Sequence, residues 1–153
     1  MPAHPAAGPP PEGDELADRL HSATIHLLRR VAAVDAESGL SPARLSALSV
    51  LVYGGPMAMT ALAAAERVSP ATITSTVTGL EGAGLVARHR SGPDARQVTV
   101  EATAAGRELM TAARARRLAV LGEGLATMTS AQRKALGVAV QAIESMLRSG
   151  LRP

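Results

Sequence analysis

The sequence predicts a mainly α fold with one small β-hairpin, arranged as a compact middle lobe flanked by longer helices. Three observations lead there. Apolar residues recur at three- and four-residue spacing along most of the chain, whereas alternation is confined to a short stretch ending at Val100. Alanine is the commonest residue, with 31 copies among 153, while Phe and Trp are absent and Tyr53 is the one aromatic. Such a chain packs as closely spaced helices, because Ala loses no rotamer entropy in a helix. Paired signals of Ser-Pro and Gly then cut the chain into segments of helical length.

Residues 1–13 are rich in Pro, Ala and Gly and offer little to bury, so they read as a disordered tail. Neither a basic stretch nor an apolar run follows Met1, so a cytoplasmic protein is expected. From Asp14, Leu16, Leu20, Leu27, Leu28, Val31 and Val34 form the apolar stripe of a first helix, ended by Ser38-Gly39. Ser41-Pro42 supplies an N-cap and a proline at the first helical position, opening a second helix with Leu45, Leu48 and Val52 inward. Leu45 to Ala65 carries no charge and approaches the length of a membrane span, but Gly54-Gly55-Pro56 divides it. Two short helices and no membrane are expected.

A helix of about Met59 to Glu66 comes next, then a tight turn at Arg67-Val68, and Ser69-Pro70 opens another helix. Ile73, Val77 and Leu80 share its inner face, and Gly82 and Gly84 finish it. Leu85 to Arg90 and Arg96 to Val100 flank Ser91-Gly92-Pro93-Asp94, which reads as a hairpin. Thr103 then caps a long helix bearing Leu109, Ala113, Val120, Leu121 and Leu125, with Gly122 and Gly124 weakening its end. Thr129 and Gln132 stand at capping-box spacing before a last helix carrying Leu136, Val140, Ile143 and Leu147. These terminal helices pack either on their own chain or against a second copy, and their apolar character favours the second copy.

Composition limits the chemistry. Without Cys there is no disulfide, thiolate zinc site, iron–sulfur cluster or thiol sensor. Without stacking aromatics there is no platform for single-stranded nucleic acid. A Gly-x-Ser-x-Gly elbow, a phosphate loop and a plausible acidic pair are all missing, so no enzyme and no cofactor are expected. His21 and His26 lie about 140° apart around a helix and make no metal pair. Charge is uneven: residues 1–87 hold 5 Lys/Arg against 8 Asp/Glu, and residues 88–153 hold 11 against 5. A basic C-terminal half fits either a polyanionic partner or simple solubility.

Helix, turn, helix and basic hairpin in that order make a winged helix-turn-helix, in which the second helix enters the DNA major groove and the hairpin lies beside it. With Ile73, Val77 and Leu80 inward, the residues left outward are Ala71, Thr72, Ser75, Thr78 and Gly79, flanked by Thr74 and Thr76. Hydroxyls and methyl groups suit base edges, and Ser69 with the first-turn N–H groups suits a phosphate. The alternative is a Thr-rich solvated helix, against which the low helix propensity of Thr argues.

These segments resemble the multiple-antibiotic-resistance regulator (MarR) family of bacterial transcription factors, over about residues 14–148. Leu62 to Pro70, Thr72-Ile73-Thr74, Gly79-Leu80-Glu81 and Gly84-Leu85-Val86 follow that family's helix-turn-helix. Asp94-Ala95-Arg96 is similar to its Asp-x-Arg wing, and Thr103 to Arg107 to the turn entering its long dimer helix. The resemblance implies a homodimer on double-stranded DNA with a pseudo-palindromic operator, usually a repressor released by a small-molecule effector. It implies a dimerisation helix over 14–40, a winged helix-turn-helix lobe over 41–102 and dimerisation helices over 103–153. DNA contacts would come from Ser69, Pro70, Ala71, Thr72, Thr74, Ser75 and Thr76, with Arg88, Arg90, Asp94 and Arg96 in the wing. Arg96 would reach the minor groove, and Asp94 would hold the wing by pairing an arginine such as Arg88.

Two features depart from the family pattern. Ser75 stands where many relatives carry Arg, and no Lys or Arg occurs between Pro70 and Glu81. Bidentate Arg–guanine contact from that helix is therefore excluded, and readout is expected to lean on wing arginines and A·T-rich shape. Ala102 also replaces a frequent Leu before Thr103. The family's effector cleft, between dimer helices and lobe, would here involve His21, His26, Arg30 and Tyr53 with aliphatic neighbours; Tyr53 packing at its helix end is the alternative. The rival function is a dimeric ligand- or partner-binding module with weakened DNA recognition.

Overall fold

The computed structural model describes residues 13–90 and 98–150, with the side chain of Arg90 outside that description. The chain divides into two compact units, Met1–Ala113 and Arg114–Pro153.

Within the first unit, α1 (Gly13–Asp35) begins at Gly13 and runs into a short 3-10 turn, Ala36–Ser38, closed by Gly39. No residue of α1 is buried. Helix α2 (Pro42–Gly54) starts as its sequence demands: the Ser41 hydroxyl accepts from the Arg44 N–H, and Pro42 occupies the first turn. Leu45, Ala47, Leu48 and Leu51 turn inward from it. Helices α3 (Met59–Glu66) and α4 (Pro70–Gly82) follow, joined through Arg67 in the left-handed conformation. Ile73, Val77 and Leu80 of α4 are buried, as their spacing predicts.

Strands β2 (Val86–Arg90) and β3 (Val98–Ala102) pair antiparallel, with Val86 opposite Ala102 and Arg88 opposite Val100. The sequence shows that hairpin but not its third strand. Met57 and Ala58 form β1, pairing antiparallel with β3 at Val100 and Thr99, to give the order β1-β3-β2. Two residues are too few to show alternation, and their pairing is settled by the far strand rather than by local propensity.

The core is aliphatic. Leu48, Leu51, Leu62, Val77, Leu80, Val100 and Met110 are its largest fully buried side chains, joined by Leu45, Ile73, Leu85 and Val86. Ala102 is buried as well, so the small residue at that position lies inside the core. Helix α5 (Ala104–Ala126) enters the core at Gly106, Met110 and Ala113. Thr103 secures its start: its hydroxyl accepts from the Gly106 N–H at 3.1 Å and donates to the Gly84 carbonyl at 2.7 Å, while its own N–H reaches the Leu85 carbonyl. Gly106 admits this approach, because a Cβ there would overlap the Leu85 carbonyl oxygen.

In the second unit α5 runs past Gly122 and Gly124 without a break to Ala126. Helix α6 (Ser130–Arg148) opens with a complete Thr129–Gln132 capping box. Arg133 reaches back to the Met128 carbonyl, closing the turn between the helices. No residue of α6 is buried.

Candidate nucleic-acid interface

Helix α4 presents an exposed ridge outward from the lobe. Ser69 caps it, accepting from the Thr72 N–H at 3.1 Å and sharing a 2.9 Å hydrogen bond with the Thr72 hydroxyl. Pro70, Ala71, Thr72, Thr74 and Ser75 are exposed, and Thr76 is half-buried. Most of the hydroxyls on this helix are already committed. Thr74 donates to the Pro70 carbonyl, Thr76 to Thr72 and Thr78 to Thr74, at 2.7, 3.0 and 2.8 Å. Back-bonding of this kind satisfies each hydroxyl within the helix. It also leaves those side chains methyl groups and acceptor lone pairs to show, while Ser75 keeps a hydroxyl free to donate among the described residues.

The wing strand is fastened to this helix by one side chain. Arg88 on β2 ion-pairs with Glu81 at 3.2 Å and donates to the Thr78 hydroxyl at 2.8 Å and the Thr74 carbonyl at 3.3 Å. Among the described residues the carboxylate that meets Arg88 is Glu81; Asp94, which the resemblance offers it, lies outside the described residues. Arg88 thus sits against α4 as a brace. Arg96 lies outside the described residues too, and of Arg90 only the backbone, at the end of β2, is described. His89 meets Glu101 across the hairpin at 2.8 Å.

Sequence reasoning missed a neighbour on the opposite side of α4. Gly79, expected to face outward, is instead covered by the guanidinium of Arg44 from the first turn of α2; a Cβ there would stand 2.5 Å from Cζ and 2.6 Å from Nε. The available signal was a glycine inside an otherwise regular helix, where it costs about 1 kcal/mol relative to Ala.

The four proposed effector residues are all exposed. His21, His26 and Arg30 are exposed on α1, and Tyr53 is 67% exposed at the end of α2, so it does not pack there. Among the described residues no hydrogen bond or ion pair joins them. A shallow groove of about 490 Å³ lies elsewhere, within the second unit, with Leu125, Leu136 and Val140 on its walls. Among the described residues no three His, Asp or Glu gather as metal ligands, and no helix is long and apolar enough to cross a membrane.

A capped helix without Lys or Arg, exposed beside a small sheet, with a basic hairpin braced beside it, defines a winged-helix DNA-binding transcriptional regulator. Comparison with known proteins agrees. The model of the MarR family matches residues 40–98. An uncharacterised HTH-type transcriptional regulator of Mycobacterium leprae is 36% identical over 132 residues, covering 86% of this chain and 92% of its own. The chain belongs to the MarR family, and its activity is regulatory rather than enzymatic. Its fold matches RV1404 of Mycobacterium tuberculosis, with a TM-score of 0.81, 23% identity and coverage of 95% and 99% of the two chains. A mutant of MepR from Staphylococcus aureus bound to an oligodeoxyribonucleotide matches at TM-score 0.70 and 13% identity, covering 86% and 97%. NadR in complex with 4-hydroxyphenylacetate matches at 0.59 and 18%, covering 94% and 97%.

Proposed function

We propose that this regulator is a homodimeric repressor that occupies a pseudo-palindromic operator and leaves it when a small molecule binds. The observation that carries the reading is the exposed, Ser69-capped ridge of α4, held beside the wing by Arg88. Ser69 and the first-turn N–H groups meet a phosphate, and Ala71, Thr72, Thr74, Ser75 and Thr76 face the major groove. Arg90 and Arg96 extend from the wing to the backbone and minor groove, where a narrow A·T-rich groove attracts arginine. Arg88 acts on DNA through the helix it steadies. Two-fold symmetry sets the two α4 helices roughly 34–36 Å apart, one turn of DNA. Exposed leucines on α1 and apolar residues on α6 supply the dimer contacts.

DNA in the MepR complex and 4-hydroxyphenylacetate in the NadR complex support the two halves of this reading, operator and effector. His21, His26, Arg30 and Tyr53, exposed on α1 and α2, supply polar contacts to an effector once the second copy closes the cleft around them.

The test is binding of the purified chain to DNA from its own upstream region across a salt series. Log affinity falls steeply against log salt for the regulator. Binding no tighter than to random DNA at low salt instead favours the rival, a ligand- or partner-binding dimer, which the lack of Lys or Arg between Pro70 and Glu81 would suit.

A further inference from the structure

We propose that Arg44 anchors a DNA phosphate on the flank of α4 opposite the wing, supplying the cation that α4 itself lacks. This rests on α4 being the recognition helix. Between Pro70 and Glu81 the helix carries no Lys or Arg, and its one charged residue, Glu81, is neutralised by Arg88. A helix lying in the major groove has a phosphate strand on each side, so it needs cations on both flanks.

Geometry assigns the two sides. At about 100° per residue, Ala71 and Ser75 mark the outward line of α4 when Ile73, Val77 and Leu80 face the core. Thr74 and Thr78, which hold Arg88, lie to one side of that line, and Gly79 lies to the other. Over Gly79 sits the Arg44 guanidinium. Gly79 is what lets it lie flat on the helix, since any Cβ would fill its seat. Arg44 is exposed and, among the described residues, its guanidinium has no carboxylate partner. Its backbone N–H is fixed by Ser41, so the first turn of α2 is held in place beneath it. A cation that is exposed, and has no carboxylate partner among the described residues, beside a recognition helix that lacks Lys and Arg is suited to a phosphate.

The experiment measures operator affinity of the full chain over a KCl series, using a fragment selected by the wild-type protein. Arg44→Gln is expected to weaken binding about tenfold at low salt and to reduce the salt slope by about 1 for each subunit on the DNA. Arg44→Lys, which keeps the charge, is expected to keep most of the slope. Lys134→Gln, on the exposed face of α6, removes one charge elsewhere and is expected to leave the slope unchanged. Gly79→Ala keeps Arg44 but fills its seat, and is expected to weaken binding with the unfolding midpoint little changed. A wild-type slope for Arg44→Gln in a folded protein overturns the inference, as does an equal loss of slope in Lys134→Gln. If the wild-type chain binds no DNA specifically, the regulator reading falls first and takes the anchor with it.

Discussion

Among single side chains, Arg88 does structural work. Arg88 is three-quarters enclosed and spends its guanidinium on Glu81, Thr78 and the Thr74 carbonyl, so its removal unfastens β2 from α4. Arg88→Ala is expected to lower stability by about 1–2 kcal/mol, read as a lower urea midpoint, with DNA affinity falling as the ridge loosens. Arg96→Ala is expected to do the reverse, weakening binding to every DNA sequence while the midpoint holds. Equal midpoints for the two variants would remove the distinction between brace and contact. Gly106 is a second residue with a steric role. A methyl group there overlaps the Leu85 carbonyl oxygen and comes within 3.1 Å of Leu48 Cδ1, and backbone cannot swing aside as a side chain can. Gly106→Ala is therefore expected to cost about 1–3 kcal/mol of stability, measured in the same denaturation series, although Ala is the better helix former.

Elements were legible in the sequence wherever their signals are local. Ser41-Pro42 and Ser69-Pro70 mark helix starts because cap and proline act on their own turn, and the Thr129–Gln132 box does the same for α6. The burial of Ile73, Val77 and Leu80 follows from spacing alone. What escaped depends on partners distant in the chain. The strand at Met57–Ala58 exists because β3 has an open edge, and Glu81 meets Arg88 because helix and strand lie side by side. Arg44 over Gly79 joins residues 35 apart, a pairing no local period reveals. Thr103 mixes both kinds: its capping of α5 is local, while its hydrogen bonds to Gly84 and Leu85 tie that helix to the start of β2. Thr103→Val keeps the shape and removes the hydroxyl. It is expected to cost about 1–2 kcal/mol, and amide exchange in the first turn of α5 is expected to quicken. Unchanged exchange there would mean that the helix start is held by packing alone.

The whole molecule raises the matter of the terminal helices. Neither α1 nor α6 buries a residue, yet Leu16, Leu20, Leu27 and Leu28 stand on one, and Leu136, Val140 and Leu147 on the other, all at least a third exposed. Single exposed leucines are ordinary, but helices this apolar with nothing over them are characteristic of surfaces that associate. Each leucine fully covered by a second copy would contribute about 1.5–3 kcal/mol, to be set against about 4–15 kcal/mol for bringing two chains together. Without Phe and Trp, the contact that the proposed dimer makes here would be aliphatic. Under the proposed function the dimer also governs DNA binding, because one lobe alone reads half an operator and loses the gain from linking two sites. Leu28→Lys combined with Leu147→Lys is expected to shift the chain toward monomer in sedimentation and to lower operator affinity at least tenfold, with the lobe still folded. A double variant that sediments as the wild type does would place the association surface elsewhere. A monomer with full operator affinity would separate DNA binding from dimerisation altogether.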